Sequence, residues 1–165
     1  MIEKKPKVIA FITGTSGAGK SVLVPLLKKR LPNFEVHDFD EVGVPEDVDL
    51  SWRLKTTNYW LEIAKKNLAN AKSTIISGST VPDEILASPE CDSSLKIYFG
   101  LLKINKSTIQ ERLMKRGWTQ ESIDAYKIWQ PQLITAVEKQ KNHRIIDGEQ
   151  EKENIVEDIV HWLQS

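Results

Sequence analysis

Eight consecutive residues, Gly14-Thr15-Ser16-Gly17-Ala18-Gly19-Lys20-Ser21, fit the phosphate-binding pattern G-x-x-x-x-G-K-[ST] at every fixed position. Each residue type has a physical reason to be there. Glycines let the backbone curl so that successive N–H groups converge on one anion. Lys20 brings a flexible ammonium to the outer phosphates, and Ser21 offers a hydroxyl to Mg2+. A helix starting at this point adds the positive end of its dipole.

Two carboxylates, Asp38 and Asp40, stand two residues apart further on. In extended backbone, side chains at i and i+2 point the same way, so both are expected to face the phosphate loop. One then helps hold the Mg2+ shell, and the other takes the proton of an acceptor hydroxyl. The neighbouring Glu41, Glu46, Asp47 and Asp49 leave a plain solvated acidic loop as the alternative. Arg112 and Arg116, two of only five arginines, lie four apart and share a helix face. They suit a charge clamp over transferring phosphates, against the alternative of a solvated face paired with Glu111. Arg53 and Trp60 are candidates to line an acceptor pocket, although large aromatics such as Trp60 usually pack in cores. His37 reads as structural. His143, His161 and Cys91 have no partner pattern that suggests chemistry.

These groups need elements to hold them. Val8 to Ile12 is a short apolar run, as expected of a buried parallel strand, and the residues after Ser21 repeat their apolar positions at helical spacing to Leu31. Pro25 is expected early in that helix, where a missing N–H costs least. Further strands are expected at Phe34 to His37, Ser73 to Ser77, Leu95 to Ile104 and Arg144 to Asp147. Helices are expected from Ser51 to about Ala71, Asp83 to Ala87, Ser107 to Lys115, from Thr119, from Gln130-Pro131 to about Lys141, and Glu151 to Leu163. Ser107 with Gln110 suggests a capping box, and Pro131 a first helical turn. Strands alternating with helices predict an α/β fold: a mostly parallel sheet covered on both faces, with ligands at its carboxyl edge.

The bulk numbers narrow the setting. A chain of 165 residues suits one domain, residues 1–165, with no dividing linker or repeat. Twenty-three basic residues balance twenty-three acidic ones, which argues against a dedicated nucleic-acid or membrane-surface binder. Cys91 is the single cysteine, so no internal disulfide forms and a reducing, cytoplasmic setting is expected. Met1 to Lys7 is charged and the apolar run after it is short, so neither a secretory leader nor a membrane span is expected.

The loop, Asp38-x-Asp40 after the second strand, and Arg112-x-x-x-Arg116 before the Gly117-Trp118 break together resemble the small P-loop kinases. That group includes shikimate kinase, gluconate kinase and the nucleoside monophosphate kinases. The resemblance spans nearly the whole chain. It implies a three-layer α/β/α P-loop NTPase fold with five parallel strands in the order 2-3-1-4-5, and a lid around residues 116–131. It implies ATP and Mg2+, with Lys20 and Ser21 in their usual roles. By likeness to shikimate kinase, Asp38 sits near Mg2+ and Asp40 contacts the acceptor, while adenine rests between the lid and residues 147–150. Two positions depart from that enzyme. The turn after the third strand is Ser77-Gly78-Ser79-Thr80, and Trp129 stands where an arginine binds the substrate carboxylate. A tryptophan cannot pair with a carboxylate, so a less acidic or more aromatic acceptor is expected.

The function that follows is transfer of the γ-phosphate of ATP to a hydroxyl or phosphate of a small metabolite, by a monomer or homodimer. A nucleoside or nucleotide kinase differs from this only in acceptor. The rival class is a nucleotide-binding ATPase or switch acting through a protein partner. A GTPase calls for Asn-Lys-x-Asp after the fourth strand, where Asn105-Lys106-Ser107-Thr108 lacks the aspartate. A mechanical ATPase calls for Asp-Glu well downstream of the loop, and Asp40-Glu41 comes too early.

Overall fold

All five residues of Ile9–Thr13 (β1) are buried, because both faces of this strand are covered. The side chains alternate between two cores. Ala10 and Ile12 join Leu23, Leu27, Ile155 and Ile159 on one face. Ile9 and Phe11 join Trp60, Leu61, Ala64, Ile85, Leu133 and Val137 on the other. The computed structural model describes residues 6–165, so Met1 to Lys5 of the charged amino-terminal stretch lie outside the described residues.

After β1 come α1 (Lys20–Arg30), β2 (Phe34–Asp38), a 3-10 turn (Phe39–Val42), α2 (Leu50–Ala69), β3 (Ser73–Ser77) and α3 (Pro82–Leu86). The second half supplies β4 (Ile97–Lys103), α4 (Lys106–Lys115), α5 (Gln120–Glu138), β5 (His143–Asp147) and α6 (Lys152–Gln164). The five strands form one sheet in the order β2-β3-β1-β4-β5, and every pairing is parallel. Among the described residues no helix is long and apolar enough to cross a membrane.

Register places the site. Asp38 pairs with Ser77, and Ser77 pairs with Ile12. The end of β2 and the start of the phosphate loop therefore lie level on one sheet edge, two strand spacings or about 10 Å apart. Side chains fasten the segments that leave this edge. The Thr13 hydroxyl donates to the Thr80 carbonyl (2.7 Å) and accepts from the Thr80 N–H (3.1 Å). The Ser77 hydroxyl donates to the Lys20 carbonyl (3.2 Å).

Three helix expectations need correction. Pro131 does not start a helix: α5 runs unbroken through it. Ile123, Gln130, Leu133 and Val137 bury one continuous face across the proline, and that packing outweighs the bond lost to the Lys127 carbonyl. Pro25 falls beyond the first turn of α1, so it is the Ser21 carbonyl that loses its i+4 donor. The capping box at Ser107 does not form, because α4 is capped from Asn105 without a side-chain bond of its own. Instead the Glu149 carboxylate accepts from the Asn105 N–H (2.5 Å) and the Thr108 hydroxyl (2.7 Å). Gln110 turns away to exchange amide hydrogen bonds with Gln120, at 2.7 and 2.8 Å.

Candidate active site

The loop between β1 and α1 folds back on itself through a hydrogen bond from Ala18 N–H to Thr15 O, 3.1 Å. Gly17 and Gly19 have φ of 85° and 93°, a conformation that side chains strain to adopt. A Cβ placed on Gly19 would meet no atom within 4 Å, so the backbone there borders open space of the kind a phosphate fills. The first amides of α1 have no partner within their own helix. Thr15 has the single buried side-chain oxygen without a hydrogen-bond partner among the described residues.

Lys20 Nζ donates to the carbonyls of Gly14 (2.7 Å) and Thr15 (2.6 Å). Burial, and secondly the charge of Arg116, push its ammonium down to about 8. A lysine held this way gains by meeting an anion, which restores the charge that burial disfavours.

Lys20 and Ser21 share a cleft of about 190 Å3 with Asp38, Asp40, Gly78, Ser79 and Arg116. The two aspartates do face the loop, but strand alternation is not what puts them there. β2 ends at Asp38 and the chain turns into the 3-10 segment. The Asp38 carboxylate accepts the Asp40 N–H at 2.9 Å. Burial, and then the neighbouring Asp38 charge, raise the Asp40 carboxyl above its usual range. Ser21 and Asp38 together offer hard oxygen donors, which fits Mg2+ held jointly with phosphate oxygens.

A second cleft of about 440 Å3 adjoins the first at Gly17, Gly19, Val22 and Arg116 and extends to residues 148–152. The two arginines divide here. Arg112 Nη1 donates to the Gly17 carbonyl, 2.7 Å, and so braces the loop. Arg116 lines both clefts.

The expected acceptor-side residues are placed differently. Trp60 is 2% exposed and its indole N–H donates to the Phe39 carbonyl, 2.9 Å. It therefore supports the 3-10 turn from beneath and offers no lining surface to an acceptor. Arg53 is paired with Glu84 on α3, Nη2 to Oε1 at 2.7 Å. Trp129 is half-buried against the second core, its ring 6.1 Å from that of Tyr126. Residues 116–131, expected as a lid, form the α4–α5 corner and the first turns of α5. Gln130 anchors that segment: its side-chain carbonyl accepts from Ile104 N–H (3.1 Å) and its amide donates to Ile104 O (2.8 Å). The sequence reading missed Gln130, Glu149 and Glu41. Only Glu41 carried a signal, since Asp38-x-x-Glu41 has the spacing of a capping box.

Among solved structures, a sugar kinase from Janibacter sp. HTCC2649, unliganded, superposes with a TM-score of 0.71 at 20% identity, covering 96% of this chain and 95% of that one. A gluconokinase from Sinorhizobium meliloti 1021 gives 0.65 at 19% identity, covering 98% and 93%. Shikimate kinase from Aquifex aeolicus gives 0.65 at 18% identity, covering 94% and 96%. No protein-family model matches the sequence, and no curated protein matches it by sequence. At these identities the likeness shows the fold: this chain has the five-stranded α/β architecture that small P-loop kinases share.

Proposed function

We propose that this chain is a small-molecule kinase that moves the γ-phosphoryl group of ATP to an acceptor hydroxyl. One observation carries the reading: Asp38 and Asp40 face Lys20, Ser21 and Arg116 across a single cleft. A phosphate loop alone serves motors, switches and transferases alike, whereas a carboxylate pair opposite it supplies what transfer to an alcohol needs. The kinase names of the structural neighbours support the same class.

In this reading the P–O bond to the β-phosphate breaks and a P–O bond to the acceptor oxygen forms. Asp40 takes the hydroxyl proton, for which its raised carboxyl is suited. Ser21 and Asp38 would hold Mg2+, which would supply charge neutralisation to the transferring phosphates when bound. Lys20 leaves the Gly14 and Thr15 carbonyls to meet the γ-phosphate, Ser21 and Asp38 orient the metal shell, and Arg116 faces the developing charge. Arg112 keeps the loop in shape through Gly17. The α4–α5 corner serves as the lid, moving about the Gln130 anchor.

The test is ATP-dependent phosphorylation of a panel of sugars, polyols, nucleosides and aromatic alcohols by the purified chain. Asp40→Asn should lower kcat by about a hundredfold or more with ADP affinity unchanged. Equal turnover in the variant would remove Asp40 from the chemistry.

A further inference from the structure

The 3-10 turn that carries the aspartate pair is held by a side chain that touches neither clefts nor loop. Glu41 spans two donors with one carboxylate. Oε1 accepts the Asp38 N–H at 2.9 Å, and Oε2 lies 3.0 Å from His37 Nδ1. His37 is itself fixed from the far side, with Nε2 3.2 Å from Glu35 Oε2 and its ring centroid 4.7 Å from that of Trp60. Trp60 in turn holds the Phe39 carbonyl. Asp38 is thereby caught at two points: Glu41 takes its N–H, and its own carboxylate takes the Asp40 N–H.

The geometry points to Glu41 as the positioning residue for Asp38, and through it for Asp40, acting through His37 and the Asp38 amide to keep the Asp38 carboxylate aimed at the metal side of the loop and the Asp40 backbone beside it. This rests on the kinase reading above and deepens it. An aspartate at a strand end has two free side-chain torsions. Pinning its backbone and one carboxylate oxygen leaves the other oxygen free and pre-aimed, so little ordering remains when a nucleotide–metal complex arrives. Groups that hold a metal's ligands commonly carry about tenfold to a hundredfold of its affinity. Reach, rather than charge, is what the arrangement demands of Glu41. A shorter carboxylate cannot touch both Asp38 N–H and His37, whereas an amide of the same length can: its oxygen accepts the Asp38 N–H and its NH2 donates to His37 Nδ1, with the imidazole proton on Nε2 toward Glu35.

Two substitutions separate reach from charge. Glu41→Gln keeps the length and an accepting oxygen, and Glu41→Asp keeps the charge and loses the length. The probe is ADP, titrated calorimetrically into the full chain with saturating Mg2+ and again with excess EDTA. The ratio of the two affinities reads the metal's contribution. Amide hydrogen exchange at Asp38 reads the turn directly. We expect Glu41→Gln to keep the ratio within about threefold, and Glu41→Asp to lower it about tenfold with metal-free affinity unchanged. Exchange at Asp38 should quicken only in Glu41→Asp. An unchanged ratio in Glu41→Asp overturns the role. So does a loss in Glu41→Gln as large as that in Glu41→Asp, which means that reach is not what the role depends on, or an equal fall with and without Mg2+, which makes the role merely structural. A wild-type chain that binds no ADP, or binds it without regard to Mg2+, overturns the kinase reading and this inference together, and only that result implicates the reading itself.

Discussion

Adding one methyl group at Gly78 should disturb the metal side of the site while leaving the phosphate loop alone. A Cβ built there lies 2.5 Å from the Phe39 Cβ and 3.4 Å from its Cγ. Carbon atoms rest at about 3.5–4.0 Å, so Phe39 must retreat by about 1 Å. It has nowhere easy to go. Phe39 is 4% exposed, its ring meets Trp52 edge-on at 5.8 Å, and Trp60 holds its carbonyl. Overpacking of this kind costs about 2 kcal/mol, which in a chain of this size lowers Tm by about 4–8 °C. Because Phe39 sits between Asp38 and Asp40, the displacement travels into both. In Gly78→Ala we expect the melting temperature to fall and the Mg2+ enhancement of ADP binding to shrink, with metal-free ADP binding kept. Gly19→Ala gives the contrast. Its Cβ projects into open space from a backbone at φ 93°, so it should abolish ADP binding with or without Mg2+. Melting followed by circular dichroism, with calorimetric titration of ADP, reads both variants. A Gly78→Ala chain with wild-type Tm and wild-type Mg2+ enhancement would refute the packing argument.

Gln130→Leu strips both hydrogen bonds from the Ile104 backbone in a site where Ile104 is 1% exposed. It should cost about 2 kcal/mol or more, seen as a fall in the urea midpoint. The Asn67 amide and then His37 hold the Glu35 carboxyl below its usual range. Ionised Glu35 therefore stabilises the fold fully above the ordinary glutamate value of about 4.3, and that contribution disappears as pH falls through the lower folded value. The Tm gap between wild type and Glu35→Gln should accordingly be widest near neutral pH and close on acidification; a gap that widens in acid contradicts the assignment. Burial, and then the Asp92 charge, raise the Cys91 thiol. Its reaction with a disulfide reagent at mildly alkaline pH should run slower than that of free cysteine and recover on unfolding.

The conformation of the phosphate-type loop was legible because it is local. A loop of fixed spacing between an apolar strand and a helix determines its own geometry, so Gly14 to Ser21 could be read from the sequence alone. The central strands β1 and β4 were legible for a similar reason, since parallel strands covered on both faces are largely apolar. What escaped were decisions made across the fold. Pro131 has the local signature of a helix start, and only the buried face running from Ile123 to Val137 shows that the helix continues. Ser107 and Gln110 have the spacing of a cap, but Glu149, forty-one residues beyond Thr108, supplies the cap. Trp60 and Arg53 lie on α2, the helix that follows the aspartates, but their side chains are taken up elsewhere. Their partners, the Phe39 carbonyl and Glu84, are visible only once α2 is packed against the turn and α3. Asp38 and Asp40 were assigned to one cleft by an alternation the chain does not use, and the 3-10 turn brings them there instead.

Residues 43–49 are exposed throughout and hang between two fastened ends. On one side the Gly43 N–H closes the 3-10 turn on the Asp40 carbonyl at 3.0 Å. On the other the Asp49 carboxylate caps α2 through the Trp52 N–H at 2.8 Å. Neither fastening depends on what lies between them. Loop closure is forgiving, with a doubling of length costing only about 0.6 kcal/mol. Mutations and insertions can therefore accumulate in this stretch without moving the aspartates or the helix. In evolutionary terms the chain separates what must stay from what is free to drift. Descendants of one ancestor could rewrite these seven residues, while the sheet edge that carries the loop and the aspartates is inherited intact.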